Sequence, residues 1–183
     1  YNGIIKPQIK KGSTLLPYSP YNMGVATIEK CNENWLDTHN FVKGRLDNGV
    51  IGYESNTTNL EVTDRTIEFT TNTNYRGIVY KPYIPIKDFR NILIHWSSSS
   101  ELAYILHYYD KNKNYIGNYS GSAITNGRYY SIASMPGVKY VRLYIEKQDG
   151  AGTATINDLM LELSNTTVPS SYIIGQSATY PIY

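Results

Sequence analysis

The run Tyr140-Val141-Arg142-Leu143-Tyr144 sets two phenol rings and a guanidinium on alternate positions. On an extended chain alternate side chains leave the same face. If Val141, Leu143 and Ile145 turn to a core, then Tyr140, Arg142 and Tyr144 turn away from it together. Trp96, His107 and Tyr109 fall on neighbouring runs of the same extended character. These residue types suit recognition of a saccharide: flat rings pack on sugar C–H faces, and planar polar groups meet hydroxyls. Fixed on a rigid sheet, they lose little entropy when a ligand binds. The alternative for the ladder is solvent-facing cross-strand packing, with Arg142 stacked over tyrosine. Trp96 is also two-sided. Alternation groups it with Ile92 and Ile94 as core, whereas the serines after it place it beside a loop, where it would line a pocket.

Other chemistries find less support. Glu54, Glu61, Glu68, Asp110, Glu146 and Glu162 sit in no catalytic motif, and there is no Ser/His/Asp pattern or phosphate-cradling glycine loop. The expectation is therefore a chain that is not an enzyme, although two of these carboxylates could meet in space as a glycosidase requires. His95 and His107 do not have a metal-ligand spacing. "DKNKNYIG", residues 110–117, begins like a calcium loop, with oxygen side chains at 110, 112 and 114. The glycine and the bidentate glutamate that should follow are absent, so a turn exposing lysines is expected. No cofactor is expected, and a structural calcium held by backbone carbonyls would leave no trace in the sequence. Cys31 is the only cysteine, so it forms no internal disulfide and reads as a small buried hydrophobe. A formal charge of +2 argues against a dedicated nucleic-acid binder, which shows a basic face. No apolar run approaches the ~20 residues of a membrane-spanning helix.

The elements that must position these residues repeat with a period of two. "NLEVTDRTIEF" alternates on both sides of Asp64-Arg65 and predicts a hairpin. Pro82 and Pro85 in "GIVYKPYIPI" predict an edge or a bulge. "NILIHWS" and "LAYILHYYD" are separated by serines, a spacer short enough to join antiparallel neighbours. "YYSIAS", "KYVRLYIE" and "ATINDLMLEL" complete the strands, with a bulge expected at Asn157-Asp158. Residues 38–58 read as a short helical turn and a long loop. The chain holds 19 tyrosines against 3 phenylalanines, which suits half-buried strand positions and wet binding surfaces. The whole predicts an all-β protein of about eight or nine short strands, a two-sheet antiparallel β-sandwich or a barrel.

The two ends resemble each other. Aligning Pro17 with Pro169 puts Thr14 on Thr166, Leu16 on Val168, Ile9 on Leu161 and Ile4 on Ile156. The repeat distance is roughly 150 residues, the length of a domain. With no initiating Met, the chain is expected to be a piece of something longer. It divides into 1–23 as the closing strand and connector of a preceding module, 24–175 as one full module, and 176–183 as the start of the next segment.

"QIKKGSTLLPYSPY" and "INDLMLELSNTTVPSSY" resemble the closing signature of lectin-like, galactose-binding-like modules in tail proteins of phages infecting Gram-positive bacteria. Ser164 stands where that signature usually has Gly, and Ser170 where it has an aromatic. "YNMGVATIEKCNENWLD", with Asn34-Trp35-Leu36-Asp37, resembles the opening segment of such a module, and "PGVKYVRLYI" its penultimate strand. "QSATYPIY" resembles the strand that follows a connector of this kind. The resemblance implies a jelly roll that binds carbohydrate without catalysis, on a tail tip, baseplate or fibre of the virion. Its partners would be bacterial surface polysaccharide and other tail proteins, in a chain that is free of nucleic acid and membrane and compatible with a homo-oligomer. The alternative on the same scaffold is a structural or assembly module with protein contacts in place of glycan. For the carbohydrate site, Tyr140, Arg142, Tyr144, Trp96, His107 and Tyr109 are the candidates.

Overall fold

The computed structural model describes residues 34–53, 55–86, 91–98, 100–121, 126–131 and 136–164. The proposed module boundaries, the closing signatures beyond Ser164 and Cys31 lie outside them. In chain order the strands are β1 (Phe41–Lys43), β2 (Arg45–Asp47), β3 (Val50–Gly52), β4 (Thr57–Val62), β5 (Thr66–Thr71), β6 (Arg76–Tyr80), β7 (Ile84–Pro85), β8 (Asn91–Ser98), β9 (Leu102–Tyr109), β10 (Tyr115–Gly121), β11 (Asn126–Ser131), β12 (Tyr140–Lys147) and β13 (Gly152–Ser164). One antiparallel sheet runs β1-β6-β12-β9-β10, with β7 also on β12, and the other runs β11-β8-β13-β5-β4. The fold is a two-sheet antiparallel β-sandwich of jelly-roll type. No helix among the described residues is long and apolar enough to cross a membrane.

Period-two alternation builds the core. Ile78, Leu106, Tyr108, Val141, Leu143 and Ile145 from one sheet meet Ile67, Phe69, Ile92, Ile94, Ile156 and Leu161 from the other, all essentially without solvent contact. Each aliphatic side chain sealed this way contributes about 2 kcal/mol. The expected hairpin is β4–β5, with Leu60 opposite Phe69 and Val62 opposite Ile67. The expected bulge lies in β13, where the register with β8 shifts between Asn157 and Met160. Asp158 takes φ +52 there, and its Oδ1 accepts from Arg65 Nε at 2.8 Å. Asn34 then closes this stretch. Its Oδ1 accepts from the amides of Leu161 and Leu36, both at 3.1 Å, and its Nδ2 donates to Leu159 O.

Two expectations are corrected. The serine spacer does not join sheet neighbours, because β8 and β9 lie in opposite sheets. The chain crosses the sandwich there, and the two strands bury their apolar faces against the shared core from opposite sides. A similar crossing recurs at β5–β6 and β12–β13. Residues 38–58 hold the expected helical turn, at Thr38–Asn40 with Asp37 as its cap, but strands in place of a long loop. β1 pairs with β6, and β2–β3 form a hairpin turned by Asn48 (φ 44) and Gly49 (φ 81). Strands of three residues are too short to show a period, but Asn-Gly is itself a hairpin signal.

Candidate functional site

Core packing on one side of β12 and β9 fixes what the other side presents. Tyr140, Arg142 and Tyr144 share the outer face of this sheet with His107 and Tyr109, and the register sets Tyr140 opposite Tyr109 and Arg142 opposite His107. The β2–β3 hairpin lies across part of that face. Leu46 packs on Val79 and Tyr144, with Val42, Ile51 and Ile105 around them. At the hairpin turn the Tyr109 hydroxyl donates to Gly49 O at 2.8 Å. A Cβ on Gly49 would fall 2.6 Å from Tyr115 Cβ and 2.9 Å from Tyr109 Cε1, so only glycine seats the turn this closely.

Beyond the hairpin turn no described element covers the face, and an aromatic cluster centred on Tyr83 occupies it. Tyr83 lies in the break between β6 and β7, directly after Pro82, which cannot continue a ladder. Its ring meets Tyr109 edge-on at 4.8 Å and Tyr140 at 6.0 Å, and Tyr115 adds contacts to Tyr109 and His107. The Arg142 guanidinium carbon stands 3.8 Å from the Tyr83 centroid and 5.8 Å from that of Tyr109. Lys113 Nζ stands 5.0 Å from the Tyr83 centroid and 5.7 Å from that of Tyr140. Cation–π contacts of this kind contribute about 0.5–2 kcal/mol each and hold rings and charges in one arrangement.

The turn of residues 110–114 delivers Lys113. Asp110 Oδ1 accepts from the amides of Asn112 and Asn114, each at 2.8 Å, and Oδ2 accepts from Asn114 Nδ2. Those bonds, led by the Asn114 amide, hold the Asp110 carboxyl below the usual range. They also set Lys113 at φ +65. Asp110 is thereby committed to the turn itself, and among the described residues no group of three His, Cys, Asp or Glu could hold a metal ion.

Burial tunes two groups beneath the surface. It lowers the His107 imidazole to about 4, against a smaller opposing pull from Asp47, and raises the Tyr109 phenol to about 12. His107 Nδ1 and Arg142 Nε are buried without a hydrogen-bond partner among the described residues.

Of the six residues expected from sequence, Tyr140 and Arg142 lie half-exposed within the cluster. Tyr109 and His107 lie in the same cluster but underneath, 1% and 3% exposed. Tyr144 is sealed under the hairpin, with its hydroxyl donating to Tyr75 O, so it is no part of an open ladder. Trp96 is in the core, 4% exposed and edge-on to Tyr104 at 6.0 Å. Alternation past Ile94 turns it inward. Tyr83, Tyr115 and Lys113 were missed. Tyr83 carries a signal, a tyrosine between two strand-breaking prolines, and Lys113 belongs to the turn expected to expose lysines.

No family model matches the chain, and no curated protein matches it in sequence. Solved structures align at low identity. The glycosylation-associated protein (Gap123) complex from Streptococcus agalactiae aligns over 72% of this chain and 25% of its own, at 8% identity and TM-score 0.49. The CBM22-1–CBM22-2 tandem domain of Paenibacillus barcinonensis Xyn10C aligns over 82% and 51%, at 12% identity and TM-score 0.48. The enzymatically active domain of bacteriophage CBA120 tailspike protein 4 aligns over 71% and 21%, at 9% identity and TM-score 0.43. This chain thus spans a quarter of the first, half of the second and a fifth of the third.

Proposed function

We propose that this chain is a non-catalytic carbohydrate-binding module of a phage tail adhesin, holding host cell-wall or surface polysaccharide on the outer face of the β12–β9 sheet during adsorption. The supporting observation is the cluster of Tyr83, Tyr140 and Tyr115 with Arg142 and Lys113, set on a sheet whose opposite face is sealed core. Rings held by cation–π contacts and strand register are ordered before a ligand arrives, which reduces the entropy lost on binding. Guanidinium and ammonium groups donate to sugar oxygens, and phenols both donate and accept. The nearest carboxylate of the turn, Asp110, already accepts three hydrogen bonds, which suits binding better than proton transfer. One site of this size is expected to bind weakly, on the order of 0.1–1 mM, with avidity supplied by many copies in a virion.

The test is co-sedimentation of the chain with purified Gram-positive cell walls. Tyr83→Ala and Tyr140→Ala should each lower affinity about fivefold or more, since loss of one stacked ring removes about 1–3 kcal/mol. Tyr53→Ala, at an exposed position on the hairpin side, should retain wild-type binding. Equal retention by all three variants would remove this face from consideration and favour an assembly role.

A further inference from the structure

We propose that the saccharide recognised at this face is acidic, bearing carboxylate or phosphate groups that Arg142 and Lys113 engage directly. This rests on the glycan-binding reading above and narrows it to a ligand class.

Two cations share one ring. Arg142 Cζ and Lys113 Nζ lie 3.8 Å and 5.0 Å from the centroid of Tyr83, and neither forms an ion pair with a carboxylate among the described residues. Three other basic side chains are neutralised. Arg45 pairs with Asp47, Arg65 with Asp158 and Lys147 with Asp149. Lys43, Lys81, Lys111 and Lys139 form no ion pair among the described residues either, but the cluster differs in gathering two such cations at one ring. Like charges gathered at one ring repel, and the quadrupole of a phenol offsets only part of that cost. An anion that reaches both offsets the repulsion and forms charge-assisted hydrogen bonds, which are about twice as strong as neutral ones.

Arg142 Nε supplies an independent sign. It is a buried donor with no partner among the described residues, on a guanidinium that lies over the Tyr83 ring. An unpaired buried donor costs about 1–3 kcal/mol, and the cost disappears when an oxygen of a ligand accepts from it. Beneath it His107, 3% exposed and with Nδ1 also unpaired, is kept neutral by burial and adds no competing charge at neutral pH. The one carboxylate of the adjoining turn, Asp110, accepts from its own loop amides and forms no ion pair with Lys113. Tyr140 and Tyr115 then offer ring surface for the sugar itself.

The experiment is a glycan array containing neutral, uronate-bearing and phosphate-bearing saccharides, followed by titration of the best-bound glycan at two salt concentrations. Binding should concentrate on acidic glycans, and the uronate and phosphate arms identify which acid is read. Affinity should fall severalfold between 50 and 300 mM salt, and about tenfold with either Lys113→Gln or Arg142→Gln. Lys113 is exposed, so its variant tests the idea even if Arg142→Gln fails to fold. Lys111→Gln, in the same turn but not over a ring, should lower affinity less than twofold. Binding confined to neutral glycans would overturn the acidic-ligand proposal and leave the glycan-binding reading intact. So would an equal loss with Lys111→Gln, which indicates unspecific charge attraction. An array with no bound glycan would overturn both.

Discussion

Protonation of His107 is expected to destabilise the fold. Its imidazole lies beneath the hairpin turn, 3% exposed, facing Asp47 across the hairpin, Arg142 across the sheet and the Tyr115 ring at 5.2 Å. In the folded chain it titrates at about 4, from an ordinary value of 6.5, because burial disfavours the cation. The folded value is the lower one, so between these two pH values the unfolded chain binds the extra proton. Stability is therefore complete above pH 6.5, falls as pH drops through the window from 6.5 to about 4, and levels off below it. A displacement of about 2.5 units at 1.36 kcal/mol each gives a ceiling of about 3 kcal/mol. Solvent at the rim, where the Asp47 side chain is 55% exposed, reduces this to about 1–2 kcal/mol. The assay is urea unfolding of wild type and His107→Phe at pH 7.5 and 4.5. Phe keeps the ring against Tyr115 and removes the unpaired Nδ1, so at pH 7.5 it should be as stable as wild type within about 1 kcal/mol. At pH 4.5 wild type should have lost about 1–2 kcal/mol more than the variant. Carboxylates shared by both proteins, such as Asp110 and Asp149, cancel in the difference. Equal pH dependence in the two proteins would refute the burial of a neutral imidazole under the hairpin.

Two further predictions concern the frame. Asn34→Ala should cost about 2–4 kcal/mol in denaturant unfolding, because it strips the partners from the Leu161 and Leu36 amides and from Leu159 O next to the β13 bulge. A loss below 0.5 kcal/mol would mean that this side chain does not close the bulge. Gly77→Ala should cost about 3 kcal/mol or more, since its Cβ would fall 1.9 Å from Ile145 O, a backbone atom that cannot swing aside. Gly52→Ala, with nothing nearer than 3.8 Å, is the matched control and should shift the thermal midpoint by little.

Alternation by itself determined most of the sandwich. The β4–β5 hairpin, the long strands β8, β9, β12 and β13, and the bulge at Asn157-Asp158 follow from local pattern, because a strand buried on one face has only one way to hide its apolar residues. The same rule put Tyr140 and Arg142 on the outside and grouped Trp96 with the core. Beyond that hairpin, partnership between strands was not readable. The serine spacer looked like a hairpin connection, yet it crosses the sandwich because β8 pairs with β11 and β13, and β9 with β12 and β10, partners distant in sequence. Nor did alternation say what covers an outward face. Tyr144 and Tyr140 occupy equivalent positions in the pattern, yet a hairpin turned by Asn48-Gly49 seals the first and stops short of the second. The Tyr83 cluster joins the segment around Pro82, the turn of Asp110 to Asn114 and strand β12. Residues so far apart in sequence become neighbours only when long-range packing fixes the strand order, and no local period records that.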